Sequence, residues 1–228
     1  MENILFLHGA LGTRSQFAPI IQLLESTYQC HAINFAGHGG RLIPPSGLTF
    51  DVFAGDILNY LYEKKIEKIN LVGYSMGGYA ALYFAYKYPN RVKSIVTINV
   101  KFNWDPTSTA REIAMLNADK MMDKIPAFAN NLMLWHGMNM WKSLLKGTGE
   151  MMQKLSETVL LSKAELASIK HKIMLIVGDR DKTSSITETH DIYKLLPNAS
   201  FMVLPNTPHP LEQINTNLLT TAIKTFLV

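Results

Sequence analysis

Cysteine is almost absent from this chain. Cys30 stands alone among 228 residues, so no internal disulfide can form and stability must come from a packed core. No apolar run approaches the roughly 20 residues needed to span a membrane. The opening MENILFLHGA has a short apolar centre, residues 4–7, without a basic flank, so no secretory leader is expected. Charge is sparse as well: 18% of residues are charged, and the formal net charge is +4. The basic pair Lys64 and Lys65 sits beside Glu63 and Glu67, which reads as a solvated helix face rather than a nucleic-acid surface. The seven histidines show no His-Glu-x-x-His spacing, so no metal site is expected. Together these absences predict a cytoplasmic soluble protein with no nucleic-acid or membrane partner.

What the chain does have is apolar content, 47%, set out in a rhythm. Short apolar runs at 4–7, 30–35, 69–72, 173–177 and 201–204 predict buried strands, and the segment 91–99 contains another. Helical spacing separates them at 17–24, 50–64, 76–88, 186–196 and 211–227, and Pro89 stops the third of these helices. Continuous apolar strands alternating with helices predict an α/β fold: a mostly parallel sheet of about six strands, flanked by helices on both faces. Between residues 101 and 168 the rhythm fails. That stretch has helical spacing, no strand-like run, and eight of the twelve methionines. The simplest organisation is a core domain of residues 1–100 and 169–228, interrupted by a helical insertion at 101–168.

The segment LVGYSMGG carries the first chemical signal. A strand ends at Gly73, a helix begins near Met76, and Ser75 lies on the turn between them. A tight strand-to-helix turn lifts its central side chain clear of the sheet edge. It also crowds the residues two before and two after, which must be small, as Gly73 and Gly77 are. The helix N-terminus favours developing negative charge. Ser75 is therefore a candidate nucleophile, although a serine that merely caps a helix would look similar.

A serine hydroxyl needs a base oriented by a carboxylate. His209, in PNTPHPLEQ after the last strand, opens at the same sheet edge. Asp181, in GDRDKTSS after the strand 173–177, offers the carboxylate, with Asp179 as the alternative. An oxyanion hole needs two amides. Met76 follows the nucleophile, and Ala10 lies in the loop LHGALG after the first strand. Gly9 and Gly12 let that loop approach Ser75, and His8 is expected to brace it by hydrogen bonds.

The ordered motifs HGALG, GYSMGG, GDRD and PHPLEQ resemble the α/β-hydrolase superfamily with a Ser-His-Asp triad, and FAGHGGR at 35–41 resembles a turn of that family. The resemblance covers nearly the whole chain. It implies an α/β-hydrolase fold with Ser75, Asp181 and His209 as triad, Met76 and Ala10 as oxyanion donors, and 101–168 as a helical cap over the site. It implies no cofactor and no metal. The implied activity is that of a serine hydrolase acting on a small ester or thioester. A ligand receptor with little turnover, or a carbon–carbon bond hydrolase or lyase, are alternatives on the same scaffold. In the cap, Trp135, Met138 and Trp141, together with Tyr74 of the core, are the expected substrate contacts. Arg41 and Lys101 are the cations that could meet an acidic substrate. Three departures stand out. The usual first antiparallel hairpin is not expected before the strand that leads to HGALG, Asn34 replaces a common aspartate, and Pro208 replaces the glycine that usually precedes the histidine.

Overall fold

A computed structural model describes residues 1–227 of the chain. Six strands form one sheet: β1 (Glu2–Leu7), β2 (Tyr28–Ile33), β3 (Ile69–Tyr74), β4 (Val92–Ile98), β5 (Lys172–Gly178) and β6 (Ala199–Leu204). Their order is β2-β1-β3-β4-β5-β6, and every neighbouring pair is parallel. The sheet matches the expected strand number and direction.

Alternation along the strands explains the two-sided covering. Ile4 and Phe6 of β1 face one layer, and Leu5 and Leu7 face the other. On the first side, Phe17, Ile20 and Leu24 meet Leu219, Ile223 and Phe226, bringing α1 (Ala18–Leu24) against α10 (Thr216–Leu227). On the second side lie α2 (Phe50–Glu63), α3 (Met76–Lys87) and α9 (Ile186–Leu195). Ten consecutive residues of α3, Met76 to Ala85, are buried, so this helix is apolar all round.

Between β4 and β5 run five helices: α4 (Pro106–Ala114), α5 (Ala118–Lys124), α6 (Pro126–His136), α7 (Trp141–Glu157) and α8 (Lys163–Ser168). This is the stretch where the sequence rhythm fails. Two predicted helices begin differently. The segment 211–227 divides into a 3₁₀ turn, Leu211–Gln213, and α10, because Asn215 starts a new helix by accepting the Leu218 amide at 3.0 Å. The segment 17–24 opens with a 3₁₀ turn, Arg14–Phe17, before Pro19 sets α1.

The strand order fixes where a site can form. The chain steps from β1 out to β2, then returns across β1 to β3. Loops leaving the carboxyl ends of β1 and β3 therefore diverge and leave a crevice, the usual binding position in a sheet of this kind. The loops after β1 and β3 carry Ala10 and Ser75.

Candidate active site

Ser75 has φ 50° and ψ −119°, a strained conformation for a side chain other than glycine. Its backbone is clamped on both sides: its amide donates to Ile98 O at 2.8 Å, and its carbonyl accepts the Gly78 amide at 2.9 Å. Crowding explains the flanking glycines. A Cβ on Gly73 would overlap the Gly77 carbonyl, and one on Gly77 would overlap the Leu7 carbonyl. Met76 opens α3, so its amide is a first-turn donor without an intrahelical acceptor.

His209 Nδ1 donates to Asp181 Oδ2 at 2.7 Å. The Asp181 carboxylate is fully buried. Ser184 Oγ also donates to its Oδ2, at 2.6 Å, and the Thr183 and Ser184 amides donate to Oδ1 at 2.7 and 2.9 Å. Burial pushes this carboxyl up, but the hydrogen bonds from His209 and Ser184 outweigh it and hold the group below the usual carboxylate range. Asp179 is engaged elsewhere. Its Oδ1 accepts the Thr207 amide at 2.9 Å, tying the two loops together. Of the two aspartates left open by the sequence, Asp181 is the one that meets His209.

Ala10, Tyr74, Ser75, Met76, Lys101 and His209 line one cavity of about 340 Å³. Among the described residues, no hydrogen bond joins the Ser75 hydroxyl to His209, a contact that is commonly long without substrate. Tyr74 lies behind the turn with its ring 5.5 Å from that of His209, and burial pushes its phenol well up. Most of the rest of the wall is apolar and comes from the helical segment, including Met115, Met121, Phe128, Met151 and Met152, with Leu11, Phe50 and Tyr79 added from the core and Glu112 and Thr148 as polar members.

Three expected contacts are corrected. Trp141 is buried in a separate cluster with Met121, Ala129, Leu132 and Leu145, and Trp135 packs against that cluster. Met138 is 76% exposed, on the turn between α6 and α7. None of the three lines the cavity, which helical spacing without knowledge of how α6 and α7 pack could not reveal. Arg41 pairs with Asp56 at 2.7 Å and also donates to the Asn34 carbonyl, outside the cavity. Lys101 does reach the cavity. Its side chain is 9% exposed, with Nζ 3.9 Å from Glu112 Oε1 and 5.2 Å above the Trp104 ring.

Asn99 has a role that the sequence reading missed. It is fully buried at the end of β4 with φ 51°. Its Nδ2 donates to the carbonyls of Pro208 and His209, each at 3.1 Å, and its Oδ1 accepts the Gly178 amide at 2.9 Å. One side chain thus ties the His209 loop to the strand that leads to Asp181. The signal was an asparagine directly after an apolar strand, a residue type that tolerates positive φ.

A family model described as alpha/beta hydrolase fold matches residues 2–160. The chain belongs to this family. The match spans between 9% and 37% of the length of three curated relatives. It is 30% identical over 154 residues, 61% of the chain and 9% of the relative, to the chloroplastic protein PHYLLO of Arabidopsis thaliana. It is 23% identical over 255 residues to a Bacillus subtilis protein named 2-succinyl-6-hydroxy-2,4-cyclohexadiene-1-carboxylate synthase, covering 99% of this chain and 90% of that one. Its fold is similar to that of 2-hydroxy-6-oxo-6-phenylhexa-2,4-dienoate hydrolase from Rhodococcus sp. strain RHA1, with TM-score 0.83, 18% identity, and coverage of 99% and 90%. Among the described residues no helix is long and apolar enough to cross a membrane, and no group of three or more His, Cys, Asp or Glu side chains could hold a metal ion.

Proposed function

We propose that this alpha/beta hydrolase cleaves a small carboxylic ester or thioester through an acyl-enzyme at Ser75. The observation that carries the reading is the His209–Asp181 pair, at 2.7 Å, opening on the cavity that Ser75 lines. Ser75 Oγ attacks the acyl carbon, and His209 Nε2 takes the hydroxyl proton. Asp181 holds Nδ1–H and so keeps Nε2 free to accept. The amides of Met76 and Ala10 receive the charge that develops on the carbonyl oxygen. His209 then protonates the leaving oxygen or sulfur, and water repeats the sequence to release the acid.

The wall supports an apolar acyl chain or a small aromatic group, because flexible methionines adapt to such shapes. Residues 101–168 act as the cap in this reading, since they supply most of that wall. No cofactor takes part.

Lys101 favours a second reading: carbon–carbon bond cleavage or elimination on an acidic substrate. It is the cation of the cavity wall, and the Bacillus subtilis and Rhodococcus proteins are both named for carboxylates.

A panel of p-nitrophenyl esters of rising acyl length tests the first reading, together with fluorophosphonate labelling and peptide mapping. Labelling at Ser75 and loss of turnover in Ser75→Ala are expected. Undiminished turnover in that variant, or labelling elsewhere, overturns the assignment. Labelling at Ser75 with feeble turnover across the whole panel transfers support to the second reading. Product analysis on carboxylated substrates then decides it, because ester hydrolysis breaks no carbon–carbon bond.

A further inference from the structure

Three histidines outside the Asp181 pair are fully buried: His8 after β1, His38 in the turn after β2, and His136 at the end of α6. Their rings lie in a row. The His8–His38 centroids are 4.8 Å apart and the His38–His136 centroids 5.7 Å. Both nitrogens of every ring are used. The Phe35 amide donates to His8 Nε2 at 3.0 Å, the Leu11 amide to His38 Nε2 at 3.3 Å, and the Gly39 amide to His136 Nδ1 at 3.0 Å. An amide can only donate, so each of those nitrogens is bare and the ring proton sits on the other one. His8 Nδ1 accordingly donates to Gly9 O at 2.8 Å, His38 Nδ1 to Ala36 O at 3.0 Å, and His136 Nε2 to Leu11 O at 2.9 Å.

These bonds fall on three consecutive peptide units. The Gly9–Ala10 unit is held through its carbonyl by His8. The Ala10–Leu11 unit is held through its amide by His38. The Leu11–Gly12 unit is held through its carbonyl by His136. In a trans peptide the amide points opposite to the carbonyl, so fixing Gly9 O aims the Ala10 amide. Leu11 has φ 59°, a conformation that is strained for a side-chain-bearing residue and persists only when its surroundings impose it. Two of the three imidazoles impose it.

We propose that His136 is a positioning residue of the helical segment: by holding the Leu11–Gly12 peptide, it makes the orientation of the Ala10 amide depend on the docking of α6 against the core. The proposal rests on the serine-hydrolase reading above. His136 lies 125 positions from Leu11, so the final hold on the oxyanion loop comes from outside the sheet domain. The charged groups nearest the row are Arg41, whose field acts on His8 and His38, and its partner Asp56, which also accepts the Ala36 amide at 2.7 Å. Neither can replace a hydrogen bond to Leu11.

The test compares His136→Gln, whose amide offers one acceptor and one donor, with His136→Phe, which offers neither. A boronic acid supplies the decisive readout. Its boron accepts an electron pair from Ser75 Oγ, and the tetrahedral adduct places an oxygen where the oxyanion forms. The carboxylic acid product, which binds without that oxygen, is the control. His136→Gln is expected within about threefold of wild type. His136→Phe is expected to lower kcat by about 10- to 100-fold, less than deletion of a whole donor, with KM within about threefold. Its boronate affinity falls by the same factor, while product affinity holds. If His136→Phe does not melt cooperatively, His136→Asn, whose shorter amide cannot span both partners, takes its place. A folded variant with wild-type kcat, or equal losses of boronate and product affinity, overturns the proposal. Ser75→Ala separates this from the underlying reading: if that variant keeps turnover, the hydrolase assignment fails whatever His136 does.

Discussion

Asp181 and His209 meet at 2.7 Å, 28 positions apart in the chain, with the carboxylate buried and four donors around it. Its orientation is therefore set before any substrate arrives. Asp181→Asn changes one atom of this arrangement. The new amide nitrogen can only donate, so toward His209 it requires a bare Nδ1. The ring proton then moves to Nε2, which can no longer act as base. We expect kcat for p-nitrophenyl esters to fall on the order of 10³- to 10⁴-fold with little change in fold. Steady-state kinetics beside a thermal melt checks this, and a loss under tenfold would count against Asp181.

Asn99 holds the His209 loop through two carbonyls and has φ 51°. Two substitutions separate its backbone role from its side-chain role. Asn99→Gly relieves the positive φ but removes three hydrogen bonds, so it is expected to destabilise by about 2 kcal/mol. Asn99→Asp keeps the size and directs an oxygen at two carbonyl oxygens, and is expected to lose more. Urea denaturation gives the order, and esterase assays should show about tenfold lower kcat in both.

The sequence made the sheet legible because most strands contain a short apolar run with helices between, as in residues 69–72. It made Ser75 and His209 legible because glycines and loop position betray a crowded turn. The cavity wall was much less legible. Met121 and Trp141 both belong to apolar helical patterns, yet only Met121 lines the cavity, while Trp141 faces α6. Periodicity gives the face of a helix, not what that face meets. His8 was legible as a brace of the loop after β1, and it holds Gly9 O, but His38 and His136 were hidden for a related reason. His136 looks like any helix-end histidine until the fold brings it to Leu11.

Two glycine substitutions should give opposite signs. Gly77→Ala drives a Cβ into the Leu7 carbonyl, where backbone and not a flexible side chain must yield. A loss of at least about 3 kcal/mol is expected, with activity falling in parallel. Gly55→Ala meets nothing within 4 Å, in the middle of α2. It should raise stability by roughly 0.5–1 kcal/mol and leave esterase activity unchanged. Chemical denaturation of both variants checks the pair.

Acid should destabilise the protein earlier than its carboxylates alone would dictate. Burial lowers His8 from 6.5 to about 4, and burial likewise lowers His38 and His136. Half-buried His31 is lowered by the same cause. Below about pH 6.5 the unfolded chain therefore binds protons that the folded one refuses. The stabilisation these groups provide is complete above that pH and lost as pH falls through their lowered folded values, near 4 for His8, with a slope of at most about 1.4 kcal/mol per pH unit for each imidazole. Glu188, raised by burial, has the opposite slope but is one group against several. Asp51, Asp179 and Asp181, all lowered, act in the same direction as the histidines but only nearer the ordinary carboxylate range. Urea unfolding is expected to show greater stability at pH 7.0 than at pH 5.5, with His8 alone contributing about 1 kcal/mol of the difference and the other lowered imidazoles adding to it. His136→Gln should narrow that difference, because one acceptor has become a group that does not titrate. Equal stability at the two pH values would mean that the buried imidazoles take up protons without unfolding.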